Sequence, residues 1–377
     1  MPWQEVSTMS LRQEFVVLAA QATLTMRALC RRFGISPKTG YKWLKRFAAT
    51  GPAGLADRSR RPQHSPARTE PAMEVQVLAV RATHPVWGGR KIRRRLQELG
   101  HDELPSASTI TAILRRQGRV EAAEAAKHRP WQRFEHEAPN QLWQMDFKGH
   151  VALARGGRCH PLTVLDDHSR YAICLQACAN EQAATVQARL TATFRRYGLP
   201  EALLVDNGAP WGDTGAQPYT RLGVWLLRLG IQVRHSRPYH PQTQGKGERF
   251  HRTVKAEVLQ GRLLRDLTDS QAAFDTWRVI YNTIRPHESL QLATPASRYT
   301  PSARAFPDRL PPIEYGPGAQ VRKVQAKGEL YYRGQAFLIG RAFIGYPVAL
   351  RETDEDGVLA VHFCHQRVAH IHLKGPD

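Results

Sequence analysis

Asp146, Asp206 and Glu248 stand in three short segments, WQMDF, LLVDNG and QGKGERFHRTVKAE, and each segment suits a carboxylate held at the edge of a rigid element. Asp146 closes an apolar run of strand type. Asp206 closes another, ALLVD, at a turn made by Asn207 and Gly208. Glu248 opens an amphipathic helix, where it shares one face with Arg252 and Lys255 at i, i+4 and i+7, while Phe250, Val254 and Val258 form a separate apolar stripe. Phosphodiester cleavage needs its attacking and leaving oxygens stabilised together, which two Mg²⁺ ions about 4 Å apart can do. Mg²⁺ is a hard cation that prefers oxygen ligands and is commonly held by one or two carboxylates. The three acids therefore outline a two-metal site in which Asp146 would bridge both Mg²⁺ ions, Asp206 and Glu248 would take one each, and Mn²⁺ could substitute.

The elements that must position these residues can be read around them. WQMDFK, PLTVL and YAICLQAC have strand character, EQAATVQARLTATFRRYG is helical, ALLVD is a strand, RLGVWLLRLG a helix, IQVRHS a strand, and two helices follow. Three strands followed by alternating helices and strands predict an α/β core, a mixed sheet covered by helices. Asp146 and Asp206 would then end neighbouring central strands. Asp166 and Asp167, at the turn between the second and third strands, read as turn and capping residues. Asp213 lies in a Gly-rich loop with no rigid element to aim it and is set aside as a ligand. Gly245 and Gly247 flank Lys246, where backbone can come close to a nucleic acid, and Lys246 is a candidate contact. In the final helix, SQAAFDTWRVIYNTIR, Phe274, Trp277 and Ile284 recur at core spacing. Arg285 and His287 lie just beyond, in NTIRPHESL.

Charge points to a polyanionic partner. The 377 residues carry 54 Lys+Arg against 33 Asp+Glu, a formal net charge of +21, the footprint of nucleic-acid binding. Residues 1–134 hold 24 basic and 10 acidic residues, so two-thirds of the excess lies in the N-terminal third. That third reads as two helix-turn-helix units. In the first, LTMRALCRRFG is followed by a turn at Gly34 and Ile35 and by SPKTGYKWLKRF, with Ser36 as N-cap and Pro37 at the first helical position. The second helix is expected in the major groove, presenting Lys38, Thr39 and Lys42, with Trp43 and Leu44 packed inward. The linker GLADRSRRPQHSP brings Arg58, Arg60 and Arg61, which could track phosphates or enter a minor groove, or serve as a tether. The second unit comprises MEVQVLAVRATHP, the basic helix GGRKIRRRLQELG with Arg90 and Lys91 as candidate DNA contacts, and SASTITAILRRQG with Ser106 as cap. At the other end, residues 313–377 alternate in strand fashion between Gly and Asp-Gly turns and predict a small β-barrel.

Along about residues 140–299 the chain resembles the DDE transposases of bacterial insertion sequences, whose catalytic core is shared with retroviral integrases. The resemblance rests on PNQLWQMDFKG, LTVLDDHSRY, RPYHPQTQGKGERFHRTVKAE, and YNTIRPHESL followed by TPASRY. It implies a ribonuclease H-like core with Asp146, Asp206 and Glu248 as catalytic metal ligands. Lys255, seven residues past the glutamate as in the family, would meet a DNA phosphate near the scissile bond; Arg252 shares its face and is a further candidate. The interval between Asp206 and Glu248 is longer than in retroviral integrases, and the paired His and Cys of their zinc domain are absent from the N-terminus.

The implied organisation is a helix-turn-helix domain over 1–56, a basic linker 57–71, a second helix-turn-helix domain 72–118, a linker 119–139, the catalytic core 140–300, a Pro-rich linker 301–312 and the barrel 313–377. The implied activity is transposition. The protein would bind terminal inverted repeats of double-stranded DNA, free a 3′-hydroxyl by hydrolysis and join it to target DNA by in-line transesterification. Synapsis of two ends implies a homodimer or higher oligomer. Scattered cysteines, and the lack of a signal peptide or a run of about 18 apolar residues, fit a cytoplasmic, nucleoid-associated bacterial protein with no membrane partner. Two other readings compete: a catalytically inactive helix-turn-helix regulator, and a plain ribonuclease H-like nuclease.

Overall fold

The structure, a computed structural model, describes residues 7–58, 68–120, 135–212, 219–236 and 245–373. It forms two compact units, residues 1–68 and 69–377.

The first unit has three helices, α1 (Thr8–Ala20), α2 (Met26–Arg32) and α3 (Pro37–Thr50). Ser36 caps α3 by accepting from the Thr39 amide at 3.2 Å, with Pro37 in the first turn, so two of the devices read from the sequence are in place. Phe15, Leu29, Cys30, Trp43 and Leu55 form the core. Gly40 lets α3 approach closely, since a Cβ there would lie 2.7 Å from Cys30 Sγ.

The second unit begins with α4 (Pro71–Thr83), α5 (Gly89–Glu98) and α6 (Ala107–Arg116). They close on Val77, Trp87, Ile92, Leu96, Ile110 and Leu114, and Ile280 and Ile284 pack against this cluster. Ser106 caps α6 through the Thr109 amide.

The central sheet comprises β1 (Leu142–Phe147), the short β2 (Val151–Ala152), β3 (Arg158–Asp166), β4 (Ala172–Cys178), β5 (Ala202–Val205) and β6 (Gln232–His235). β3 pairs antiparallel with β1, β2 and β4, whereas β1, β5 and β6 run parallel. Each parallel step is made by a helix, α7 (Ala183–Tyr197) and then α8 (Arg221–Arg228). This is the ribonuclease H-like arrangement expected. Trp143, Met145, Leu162 and Val164 pack on the α7 and α8 side. Leu165, Ala172 and Leu175 pack on Phe250, Val254, Phe274 and Trp277 of α9 (Gly245–Val254) and α10 (Leu267–Thr283). The period-two alternation of the strands thus buries both faces.

The C-terminal strands are β7 (Gln320–Lys323), β8 (Glu329–Tyr332), β9 (Gln335–Leu338), β10 (Pro347–Glu352), β11 (Val358–Phe363) and β12 (Gln366–His372). Among the described residues they form an open sheet, β12-β11-β10-β7, and a separate hairpin, β8-β9. The expected closed barrel is corrected accordingly. Val348, Val361, Phe363 and Ile371 share one hydrophobic cluster with Leu330, Tyr332, Ile339 and Phe343 of the same C-terminal segment and with Leu222 and Leu227 of α8, and Phe343 meets Phe363 edge to face at 5.1 Å. Gln366 also bonds both backbone groups of Val233 on edge strand β6, at 3.1 and 3.2 Å.

Candidate active site

The parallel pairing of β1 with β5 matches Gln144 to Leu204; carried two residues further, this register brings Asp206 level with Asp146. Adjacent strands lie about 4.8 Å apart, so residues sixty positions apart in the chain become neighbours. Burial pushes the Asp146 carboxyl up to about 7, and the charge of Asp206 adds to the effect, followed by those of Glu181 and Glu248; the Phe147 amide opposes them. Burial likewise raises Asp206, whose carboxylate accepts from the Gly208 amide at 3.1 Å. The three predicted acids therefore share one electrostatic neighbourhood. No three His, Cys, Asp or Glu side chains among the described residues are gathered closely enough to hold a metal ion.

The donor set nevertheless fits a hard divalent cation. It consists of carboxylate oxygens, the ligands such a cation prefers, and Asp146 is raised first by burial and then by the neighbouring charge of Asp206.

On α9 the predicted faces are as read: Glu248, Arg252 and Lys255 are exposed, and Phe250, Val254 and Val258 are buried. Lys255 opens a π-helical turn, Lys255–Leu259, that continues α9. His251, which nothing in its local pattern marks, is buried. Its Nε2 lies 2.7 Å from Thr163 Oγ1, which donates to the Asp146 carbonyl at 2.8 Å, and its Nδ1 lies 3.9 Å from Asp146 Oδ2. Burial, helped by Lys148, lowers this imidazole to about 4 and keeps it neutral. A second unread residue, Glu181, precedes α7 and meets His160 Nδ1 at 2.8 Å.

Asp166 and Asp167 are hydrogen-bond hubs, as their turn position suggested. Asp166 takes the Asn140 and Ser169 amides and the Ser169 hydroxyl. Asp167 takes the His136 amide, the Gln144 side chain and the Lys246 ammonium. Arg285 faces inward: its Nε donates to Glu257 Oε1 at 2.9 Å while Trp277 Nε1 donates to the other oxygen at 2.8 Å. This pair anchors the π-helical turn to α10. His287 is buried against Tyr281.

The candidate DNA contacts separate into groups. Lys38, Lys42, Arg58 and Arg90 are exposed, and Thr39 is partly buried beside the Ser36 cap. The Lys42 ammonium lies 4.3 Å above the Trp43 ring. Lys91 is drawn inward, and burial, helped by nearby Arg285, lowers its ammonium to about 8. Lys246 is paired with Asp167. Arg60 and Arg61, like Asp213, lie outside the described residues.

Fold and site together define an integrase-type core carrying helix-turn-helix units ahead of it. Comparison with known proteins agrees. Two Integrase core domain models match residues 136–241 and 229–295, a Helix-turn-helix domain 11–63, a Homeodomain-like domain 39–114, and the IS481 family transposase C-terminal domain 319–376. The chain is 27% identical over 255 residues to an uncharacterised 39.2 kDa protein of insertion element IS476 from Xanthomonas euvesicatoria, covering 65% of this chain and 69% of that one. It is 28% identical over 171 residues to an uncharacterised 31.7 kDa protein of insertion element IS407 from Burkholderia multivorans, covering 45% of this chain and 59% of that one, less than two-thirds of its length. Among solved structures, a simian T-cell lymphotropic virus intasome in complex with a PP2A regulatory subunit aligns at 15% identity and a TM-score of 0.38, over 78% of this chain and 99% of that one. In these matches the chain is similar to insertion-sequence proteins and carries an integrase-like core. Among the described residues, no helix is long and apolar enough to cross a membrane.

Proposed function

We propose that this chain is a DDE-type DNA transposase that binds the terminal inverted repeats of its element, then cleaves and joins DNA with divalent metal at Asp146, Asp206 and Glu248. The observation that supports the reading is the electrostatic coupling of these acids. They stand on β1, just after β5 and on α9, and the charges of Asp206 and Glu248 both raise Asp146. Asp146 would contribute to both Mg²⁺ sites, with Asp206 and Glu248 serving one each. When bound, the cations stabilise charge on the attacking and leaving oxygens.

The remaining work falls to the chain. Lys255, exposed one turn beyond Arg252, would meet a phosphate beside the scissile bond. Thr163 and neutral His251 hold the β1 backbone at Asp146. Lys38, Thr39, Lys42, Arg58 and Arg90 would bind end DNA, with Arg252 nearer the core. In the first step water displaces the 3′-oxygen at the element end; in the second that hydroxyl displaces a 3′-oxygen in target DNA, and no bond to the enzyme forms. Pairing two ends calls for a dimer or higher oligomer.

The test is Mg²⁺- or Mn²⁺-dependent nicking and strand transfer of a labelled duplex taken from the gene's own flanks, with Asp146→Asn, Asp206→Asn and Glu248→Gln run alongside. Joining by the unmodified protein, and binding without joining by all three variants, is expected. Binding with neither cutting nor joining, even from a pre-nicked end, would transfer the assignment to an inactive regulator. Cutting without preference for the end sequence would indicate a plain nuclease.

A further inference from the structure

Lys246 and Gly247 enter α9 immediately before Glu248, and both are tied to other elements of the core. The Lys246 ammonium lies 2.6 Å from Asp167 Oδ2 and 3.4 Å from the Asp167 carbonyl oxygen. The other oxygen of that carboxylate, Oδ1, accepts from Gln144 Nε2 at 2.8 Å. Gln144 Oε1 in turn accepts from the Gly247 amide at 3.1 Å. The ring of contacts is therefore closed: Lys246 to Asp167, Asp167 to Gln144, Gln144 to Gly247, and by the peptide bond back to Lys246.

Each member sits where it bears on a proposed catalytic carboxylate. Gln144 is two residues before Asp146 on β1, hence on the same face of the strand. Gly247 is the residue before Glu248. Asp167 lies in the β3–β4 turn and is held further by the His136 amide at 3.0 Å. The first amides of a helix have no partner within the helix, and Gln144 supplies one for Gly247. The side chains of Lys246 and Asp167 are 19% and 3% exposed, so the ammonium is engaged within the protein instead of presented to solvent.

We propose that Lys246, Asp167 and Gln144 are positioning residues, a latch that seats the first turn of α9 on β1 and so sets Glu248 relative to Asp146, and that Lys246 does not bind DNA phosphate. The proposal rests on the transposase reading for its effect on rate but not for the latch itself. Misplacing a catalytic group by about 1 Å can cost about 100-fold in rate, whereas loss of a phosphate contact weakens binding and lowers the salt slope by about one.

The experiment compares the full chain with Lys246→Met, Asp167→Asn and the double variant. Three quantities are measured: the strand-transfer rate from a pre-nicked end duplex, the affinity for that duplex across a salt series, and hydrogen exchange over residues 245–250 without DNA or metal. Each single change is expected to slow joining roughly 10- to 100-fold, leave affinity and salt slope within about twofold, and speed exchange. The double variant should be no slower than the slower single one, because both changes open the same ring. Lys246→Met is the milder change and keeps the test open should Asp167→Asn fail to fold. The proposal is overturned if Lys246→Met weakens binding and lowers the salt slope while Asp167→Asn does neither, if the two rate effects multiply, or if exchange is unchanged. Should the unmodified protein bind but never join, faster exchange in the variants would uphold the latch while the transposase reading failed. Normal joining by both variants would remove the latch and leave that reading intact.

Discussion

Asp146→Asn replaces a carboxyl that burial and three like charges oppose. In the folded chain that group titrates near 7 instead of its ordinary 3.8. A raised folded value means that the ionised form is disfavoured by the fold. The stability held by the protonated form is therefore complete below about pH 4 and is lost as pH climbs through 7. A displacement of about three pH units corresponds to about 4 kcal/mol at full strength. Because the side chain is 33% exposed, solvent screening reduces this to roughly 2 kcal/mol. Asn keeps the size of the side chain and removes the charge. Urea unfolding in EDTA should show Asp146→Asn gaining about 1–2 kcal/mol on the unmodified protein between pH 5 and pH 8.5. Millimolar Mg²⁺ should then restore the unmodified protein at pH 8.5 and leave the variant unmoved. A stability difference between the two proteins that stays constant across this pH range would refute the reasoning, because Asp146 would then carry no buried charge penalty.

Other perturbations test separate parts of the molecule. Arg285→Met strands the Glu257 carboxylate, whose side chain is 9% exposed, and should cost about 3 kcal/mol in urea unfolding while leaving end-DNA affinity unchanged. Thr163→Val removes the hydroxyl shared by His251 and the Asp146 carbonyl; about 1–2 kcal/mol should be lost, with strand transfer slowed more than DNA binding. Ser36→Ala deletes the cap of α3 and should lower the stability of the first unit by about 1 kcal/mol, read by thermal unfolding of the full chain. Lys38→Ala and Arg90→Ala should each weaken binding to end DNA and flatten its salt dependence by about one unit of slope; an unchanged slope would mean that neither side chain meets a phosphate.

Local pattern was enough to determine the elements of this protein and its candidate carboxylates. Strand alternation and helical spacing depend on near neighbours, so the five principal core strands, the capping of α3 and α6 by Ser36 and Ser106, and the exposed face of Glu248, Arg252 and Lys255 were all legible along the chain. What long-range packing decides was not legible. Nothing near Lys91, Lys246 or Arg285 announces that these cations turn inward, because their partners, Glu257 and Asp167 among them, come from distant segments. His251 reads as an ordinary helix residue until β3 places Thr163 against it. The C-terminal strands carry a barrel-like alternation, yet which of them pair is decided by long-range contacts, and here β8 and β9 form a hairpin apart from the other four. Periodicity specifies which side of an element is apolar; only the tertiary structure decides what that side, and each charge beside it, will meet.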